Sequence, residues 1–141
     1  MFRVLAVLSI FILFHRNGVA QSDKNDLPPS SREKANNDTK VKYGIASYYA
    51  DKFKGRQTAN GEIYLPEKYT AACNVLPLNT WIKVTNIKNN KSVVVKINDR
   101  MHPKNKRLVD LSKAAAKKLN LLSYGIIKVK LEVLKEKPEE N

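Results

Sequence analysis

From Val41 onward the chain alternates short apolar–polar runs with clusters of turn residues. In "TWIKVTN", Ile82, Val84 and Asn86 alternate with Trp81, Lys83 and Thr85, the period of two that sends a strand's side chains to opposite faces. Lys88-Asn89-Asn90-Lys91 supplies turn chemistry, and Val93 to Ile97 returns as a second strand, so the segment predicts a β-hairpin. "YGIASYYA" (Tyr43 to Ala50) and "RLVDL" predict two more strands. In "GIIKVKLEVL", Ile127, Val129, Leu131 and Val133 share one face of another. The period changes once: "SKAAAKKLNL" is alanine-rich, with Ser112 placed to cap a helix and Asn120 near its end. Many short strands with one late helix predict a mostly β fold, a small closed barrel.

The two ends lack this patterning. Arg3, the apolar run Val4 to Phe14 and the small residues Gly18-Val19-Ala20 read as a secretory signal over residues 1–20. The run is too short to cross a bilayer, which takes about 20 residues. A lipidated protein needs a cysteine just after the cleavage point, and Gln21 stands there, so the expectation is an exported protein of the periplasm or cell envelope without a lipid anchor. Residues 21–40 are polar with two prolines, the composition of a flexible leader, and residues 136–141 form a polar tail. That leaves 41–135 as one folded domain, enough for a single core.

Charge narrows the partners. The chain carries 26 basic and 13 acidic residues. Removing Arg3 and Arg16 with the signal leaves 24 against 13, a net +11. Such a surface attracts anionic partners or simply keeps a small domain soluble. Export argues against nucleic acid. The single cysteine, Cys73, excludes an internal disulfide. With one histidine after the signal and no zinc-type ligand spacing, no metal site is expected, and without a phosphate loop or dinucleotide fingerprint no cofactor is expected.

Four segments in order carry something more specific: "GIASYYADKFKGRQTANGEIY", "TAACNVLPLNTWIKVTN", "SVVVKINDR" and "RLVDLSKAAAKKL". Together they resemble the rare lipoprotein A family of septal ring lytic transglycosylases and, more distantly, expansin-type barrels. The resemblance covers Tyr43 to Leu134 and implies a single six-stranded double-psi β-barrel with one short helix and a glycan groove on one face. It implies cleavage of peptidoglycan strands, with a preference for glycan lacking stem peptides. It also places two carboxylates, Glu62 in "TANGE" and Asp99 in "NDR". The chain departs from the family pattern at Cys73, where the motif has histidine. It also departs at the missing lipidated cysteine and at the missing C-terminal peptidoglycan-binding module.

Glycosidic cleavage needs a proton for the leaving oxygen and a way to carry oxocarbenium charge. In a lytic transglycosylase the C6 hydroxyl of muramic acid attacks the anomeric carbon, so a base is needed as well. Asp99, where the second hairpin strand opens into a loop, is the first candidate. Lys96 and Arg100 lie close in sequence and would lower its pKa unless they point away. Glu62, after the Asn60-Gly61 turn, is the second candidate, facing Asp99 across the groove. Either carboxylate also has a plain reading, as a loop group paired with Arg100 or as an exposed turn residue. Cys73 admits four readings: a packing residue, a replacement that lowers activity, a loss of catalysis, or a reactive thiol. His102, three residues past Asp99, stands either as a partial substitute for the absent imidazole or as a solvated loop residue. One of Tyr48 and Tyr49 faces the core and the other is a candidate for stacking on sugar. Arg56, Thr58 and Asn60 belong to the same groove motif or serve as turn residues. Asp110 caps the helix start, fixes the barrel or lines the groove.

Three functions therefore compete. The first is a lytic transglycosylase, monomeric and acting on glycan strands. The second is an expansin-like module that grips glycan without cutting it. The third is a scaffold presenting a basic surface to envelope or division proteins.

Overall fold

Alternating burial closes the chain on itself. The computed structural model describes residues 39–139, so the proposed signal and almost all of the leader lie outside the described residues. The elements are β1 (Val41–Tyr48), a 3-10 turn (Asp51–Phe53), β2 (Thr70–Ala72), β3 (Trp81–Asn86), β4 (Ser92–Asp99), β5 (Val109–Leu111), α1 (Lys113–Lys118) and β6 (Ile127–Val133). They form one closed barrel in the order β1-β5-β2-β4-β3-β6, with β6 returning to β1. The expected six-stranded, mostly β barrel with a single short helix is the architecture found.

The predicted hairpin pairs antiparallel, Ile82 opposite Val95 and Val84 opposite Val93. Its alternate residues Ile82, Val84, Val95 and Ile97 are buried, as are Val129 and Leu131 of β6. Ser112 caps α1, its hydroxyl accepting from the Ala115 N–H. Asn120 ends the helix in a left-handed conformation (φ 56°). The alanines of α1 have a packing reason: Ala115 and Ala116 are fully buried in the core, where larger side chains would not fit. Gly44 has one too, since a Cβ there would lie 2.6 Å from Leu108 Cβ.

The strand ends differ from the sequence reading, as in β4, which runs Ser92–Asp99, and β5, which starts only at Val109. β1 starts at Val41 and ends at Tyr48, so Tyr49 and Ala50 lie past the strand. β2 was not expected at all. Its three residues are too few for a period, and they are held by parallel pairing with β4 and antiparallel pairing with β5. Between β2 and β4 the register slips: Ala71 faces Ile97, but Ala72 faces Asp99. Asn98 is the extra residue of a bulge, so Asp99 leaves the core-facing phase of Val93, Val95 and Ile97.

Candidate active site

At the end of β4, three donors converge on the carboxylate that the bulge turns out of the core. The Tyr49 hydroxyl donates to Asp99 Oδ2 at 2.7 Å. The N–H groups of Ala59 and Arg100 donate to Oδ1 at 2.9 and 2.8 Å. Tyr49 is fixed in turn: its ring stacks on Tyr64 at 4.4 Å between centroids and meets the edge of Phe53 at 5.7 Å. Burial foremost, then the bond to Asp99, pushes the Tyr49 phenol far above its ordinary range, so it remains a donor at any working pH. Tyr48 turns the other way, packing against the core with its hydroxyl towards the Leu122 carbonyl. The pair splits as expected, but the outward tyrosine serves the carboxylate, with one ring face covered by Tyr64.

Glu62 rides on a tight turn laid over the same strand end. The Thr58 N–H donates to the Glu62 carbonyl at 2.7 Å, and the buried Thr58 hydroxyl donates to Asn60 Oδ1 at 2.8 Å. Asn60 donates through Nδ2 to Asn79 Oδ1 at 3.0 Å, and its N–H reaches the Asn98 carbonyl at 3.1 Å. Thr58 and Asn60 are thus the frame that carries Ala59 to Asp99 and Glu62 to its partners. The Glu62 carboxylate pairs with Lys96 and accepts from Asn98 Nδ2 at 3.0 Å. The Lys96 hydrogen bond, then that of Asn98, lowers its pKa, so Glu62 is ionised at neutral pH. Lys96 and Arg100, expected as cationic neighbours of Asp99, are committed elsewhere: Lys96 to Glu62 and the Arg100 guanidinium to the Cys73 carbonyl.

Cys73 follows β2 directly, its N–H donating to the Asp99 carbonyl at 3.1 Å. Its side chain has no solvent exposure and belongs to the apolar core. That is the packing reading among the four, and it gives the thiol no route to substrate. His102 is exposed, and its Nδ1 accepts from the Lys104 N–H at 3.2 Å, the solvated-loop reading. Asp110 holds Arg107 through two bonds, Nε to Oδ1 at 2.6 Å and a terminal nitrogen to Oδ2 at 2.7 Å. It does not cap the helix, since Ser112 does. Arg56 is exposed, with its guanidinium 5.3 Å from the Phe53 ring centroid.

Beside Glu62 opens a cleft of about 830 Å³, walled by Ile63, Tyr69, Trp81 and Val94 with Lys68 and Lys96 on its rim. Sequence reasoning named none of Tyr64, Asn98, Asn79, Tyr69 or Trp81 for the site. Trp81 carries a readable signal, as an aromatic on the otherwise polar face of Lys83 and Thr85. Asn98 and Tyr64 act through long-range contacts that no local pattern announces.

The sequence model of the lytic transglycolase family matches residues 41–131. The endolytic peptidoglycan transglycosylase RlpA of Haemophilus influenzae is 50% identical over 103 residues, 72% of this chain and 36% of that protein. Its counterpart in Pasteurella multocida is 47% identical over 91 residues, 64% of this chain and 31% of that protein. The chain therefore spans about a third of the length of the curated relatives it matches. Among solved structures, an expansin of Clavibacter michiganensis superposes with a TM-score of 0.57 at 20% identity, over 71% of this chain and 53% of that one.

Proposed function

The chain belongs to the lytic transglycolase family of double-psi β-barrels, and from that premise we propose that it cleaves peptidoglycan glycan strands by intramolecular transglycosylation. The observation that carries this reading is the triply held carboxylate of Asp99 at the end of β4, with Glu62, whose turn lies over the same strand end, lining an aromatic-walled cleft. Glu62 is ionised and paired, so it has no proton to give. Asp99 then serves in both halves of the reaction. As carboxylate, the form its three donors favour, it takes the proton of the muramic C6 hydroxyl as that oxygen bonds to the anomeric carbon. It then passes that proton to the leaving oxygen as the glycosidic bond breaks. No water is consumed and Asp99 ends in its starting state. The Glu62 carboxylate offers an anionic oxygen to the developing oxocarbenium ion, its charge offset in part by Lys96. Tyr49 orients Asp99, and Trp81 and Tyr69 offer apolar faces to sugar rings. The apolar run of residues 4–14 supports export to the periplasm or cell envelope. Action as a monomer and a preference for strands without stem peptides complete the reading.

A binding module that grips glycan without cutting it is the second reading, favoured by the burial of Cys73, which leaves no imidazole or thiol in the cleft. The two separate in one experiment. The protein is incubated with purified glycan strands, and the products are searched for anhydro-muramic ends by mass spectrometry. Ends that form with the native chain and disappear with Asp99→Asn support cleavage. Sedimentation with glycan and no such ends overturns it in favour of binding.

A further inference from the structure

At the end of the barrel away from Asp99, the β3–β4 turn and the loop between α1 and β6 lie side by side around a cavity of about 560 Å³. Three large apolar side chains stand out of it, Ile87 (48% exposed), Tyr124 (58%) and Ile126 (58%). Lys88 lies 5.2 Å from the Tyr124 ring centroid, and Lys128 lines the same cavity. Lys91 donates to Asn120 at 3.3 Å on the adjoining rim. The patch is preformed: Asn86 and Asn89 both donate to the Leu119 carbonyl, at 3.0 and 3.2 Å, and the Ile87 N–H donates to the Lys128 carbonyl at 3.2 Å. The segments that build it contain no acidic residue, none between Lys68 and Asn98 and none between Leu111 and Leu131.

We propose that this end of the barrel docks on an anionic phospholipid surface. Isoleucine and tyrosine side chains ringed by lysines match the boundary between headgroups and acyl chains, where apolar groups enter and ammonium groups stay with phosphates. A nucleic acid would meet the charge but not the aliphatic side chains. A second copy would set lysine against lysine. β4 runs from Ser92 beside the patch to Asp99, eight residues, about 23 Å end to end at roughly 3.3 Å per step. A barrel seated this way turns Asp99 away from the bilayer. The inference needs the barrel and its charge, not the cleavage chemistry.

The test uses the chain from Gln21 onward, whose barrel closes wholly within Val41–Val133. Its single tryptophan, Trp81, lies on the far half of β3, opposite Lys96. The protein is sedimented with phosphatidylglycerol vesicles and with neutral phosphatidylcholine vesicles. Binding is expected to the first only, and glycerol phosphate in solution is expected to compete poorly. Each lysine near an anionic surface is worth about fivefold in partition, so Lys88→Glu with Lys128→Glu weakens binding by at least about 25-fold. Ile87→Ser with Ile126→Ser also weakens it, with circular dichroism confirming the fold. In Tyr124→Trp, brominated lipid quenches the new tryptophan while Trp81 of the native chain is unquenched. Asp99→Asn binds like the native chain, which keeps this outcome separate from that of the cleavage reading. Equal binding to neutral vesicles, full competition by glycerol phosphate, charge-reversed variants that bind normally, or quenching of Trp81 would each overturn the proposal.

Discussion

Tyr49→Phe removes one oxygen and leaves the ring where it is. The lost group is the donor at 2.7 Å from Asp99 Oδ2, and a hydrogen bond to a charged group is worth roughly 1.5–3 kcal/mol. If that bond orients Asp99 for proton transfer, the turnover rate falls about tenfold to a hundredfold at about 1.4 kcal/mol per decade. KM should not move, because the hydroxyl's role is to hold Asp99, not to bind sugar. Stability should fall by no more than that bond, roughly 1.5–3 kcal/mol, since the stack on Tyr64 and the edge contact with Phe53 persist. Tyr49→Ala, by contrast, also loses that packing and should cost about 3 kcal/mol or more. The assay pairs initial rates of anhydro-end formation with urea denaturation of both variants. A Tyr49→Phe protein with native turnover, or one whose loss follows unfolding alone, would refute the positioning role.

Acid stability should depend on Glu62. Its folded pKa lies below the ordinary 4.5, so the pair adds stability above that value and loses it as pH falls through the folded pKa. Glu62→Gln should therefore flatten the drop in unfolding free energy between neutral and strongly acidic buffer, by an amount reduced by solvent screening because the side chain is 40% exposed. The Cys73 thiol should resist a disulfide-exchange reagent in the native protein and react fully in denaturant. Cys73→His should lower the melting temperature without raising the rate, because a buried imidazole finds an apolar core; faster cleavage at unchanged stability would contradict the packing role. Gly44→Ala should cost about 1–3 kcal/mol in denaturant titration, since its Cβ meets Leu108 at 2.6 Å.

What the sequence made legible is what is local. The β3–β4 hairpin, the Ser112 cap and the β6 face each rest on a period or a neighbour within a few positions. The barrel's closure does not. β2 has three residues and no pattern, and its existence depends on partners at β4 and β5 far along the chain. The same limit applies at the site. Asp99 is recognisable as a carboxylate where a strand opens, but its contact with Tyr49 spans 50 positions. Lys96 looks like a neighbour of Asp99, yet strand alternation and the Asn98 bulge send it to Glu62. Cys73 follows a strand too short to reveal its face, so only the three-dimensional packing separates a buried thiol from a groove residue.

The central claim is intramolecular transfer at Asp99, and water made with heavy oxygen tests it most directly. Glycan strands are digested in that solvent by the native chain and by Asp99→Asn, and the new reducing-side ends are weighed by mass spectrometry. The account predicts anhydro-muramic ends without heavy oxygen from the native chain and no new ends from Asp99→Asn. Ends that carry the heavy label would mean that water is the nucleophile, and unlabelled ends that persist in Asp99→Asn would mean that Asp99 is not the acid and base; either result contradicts it.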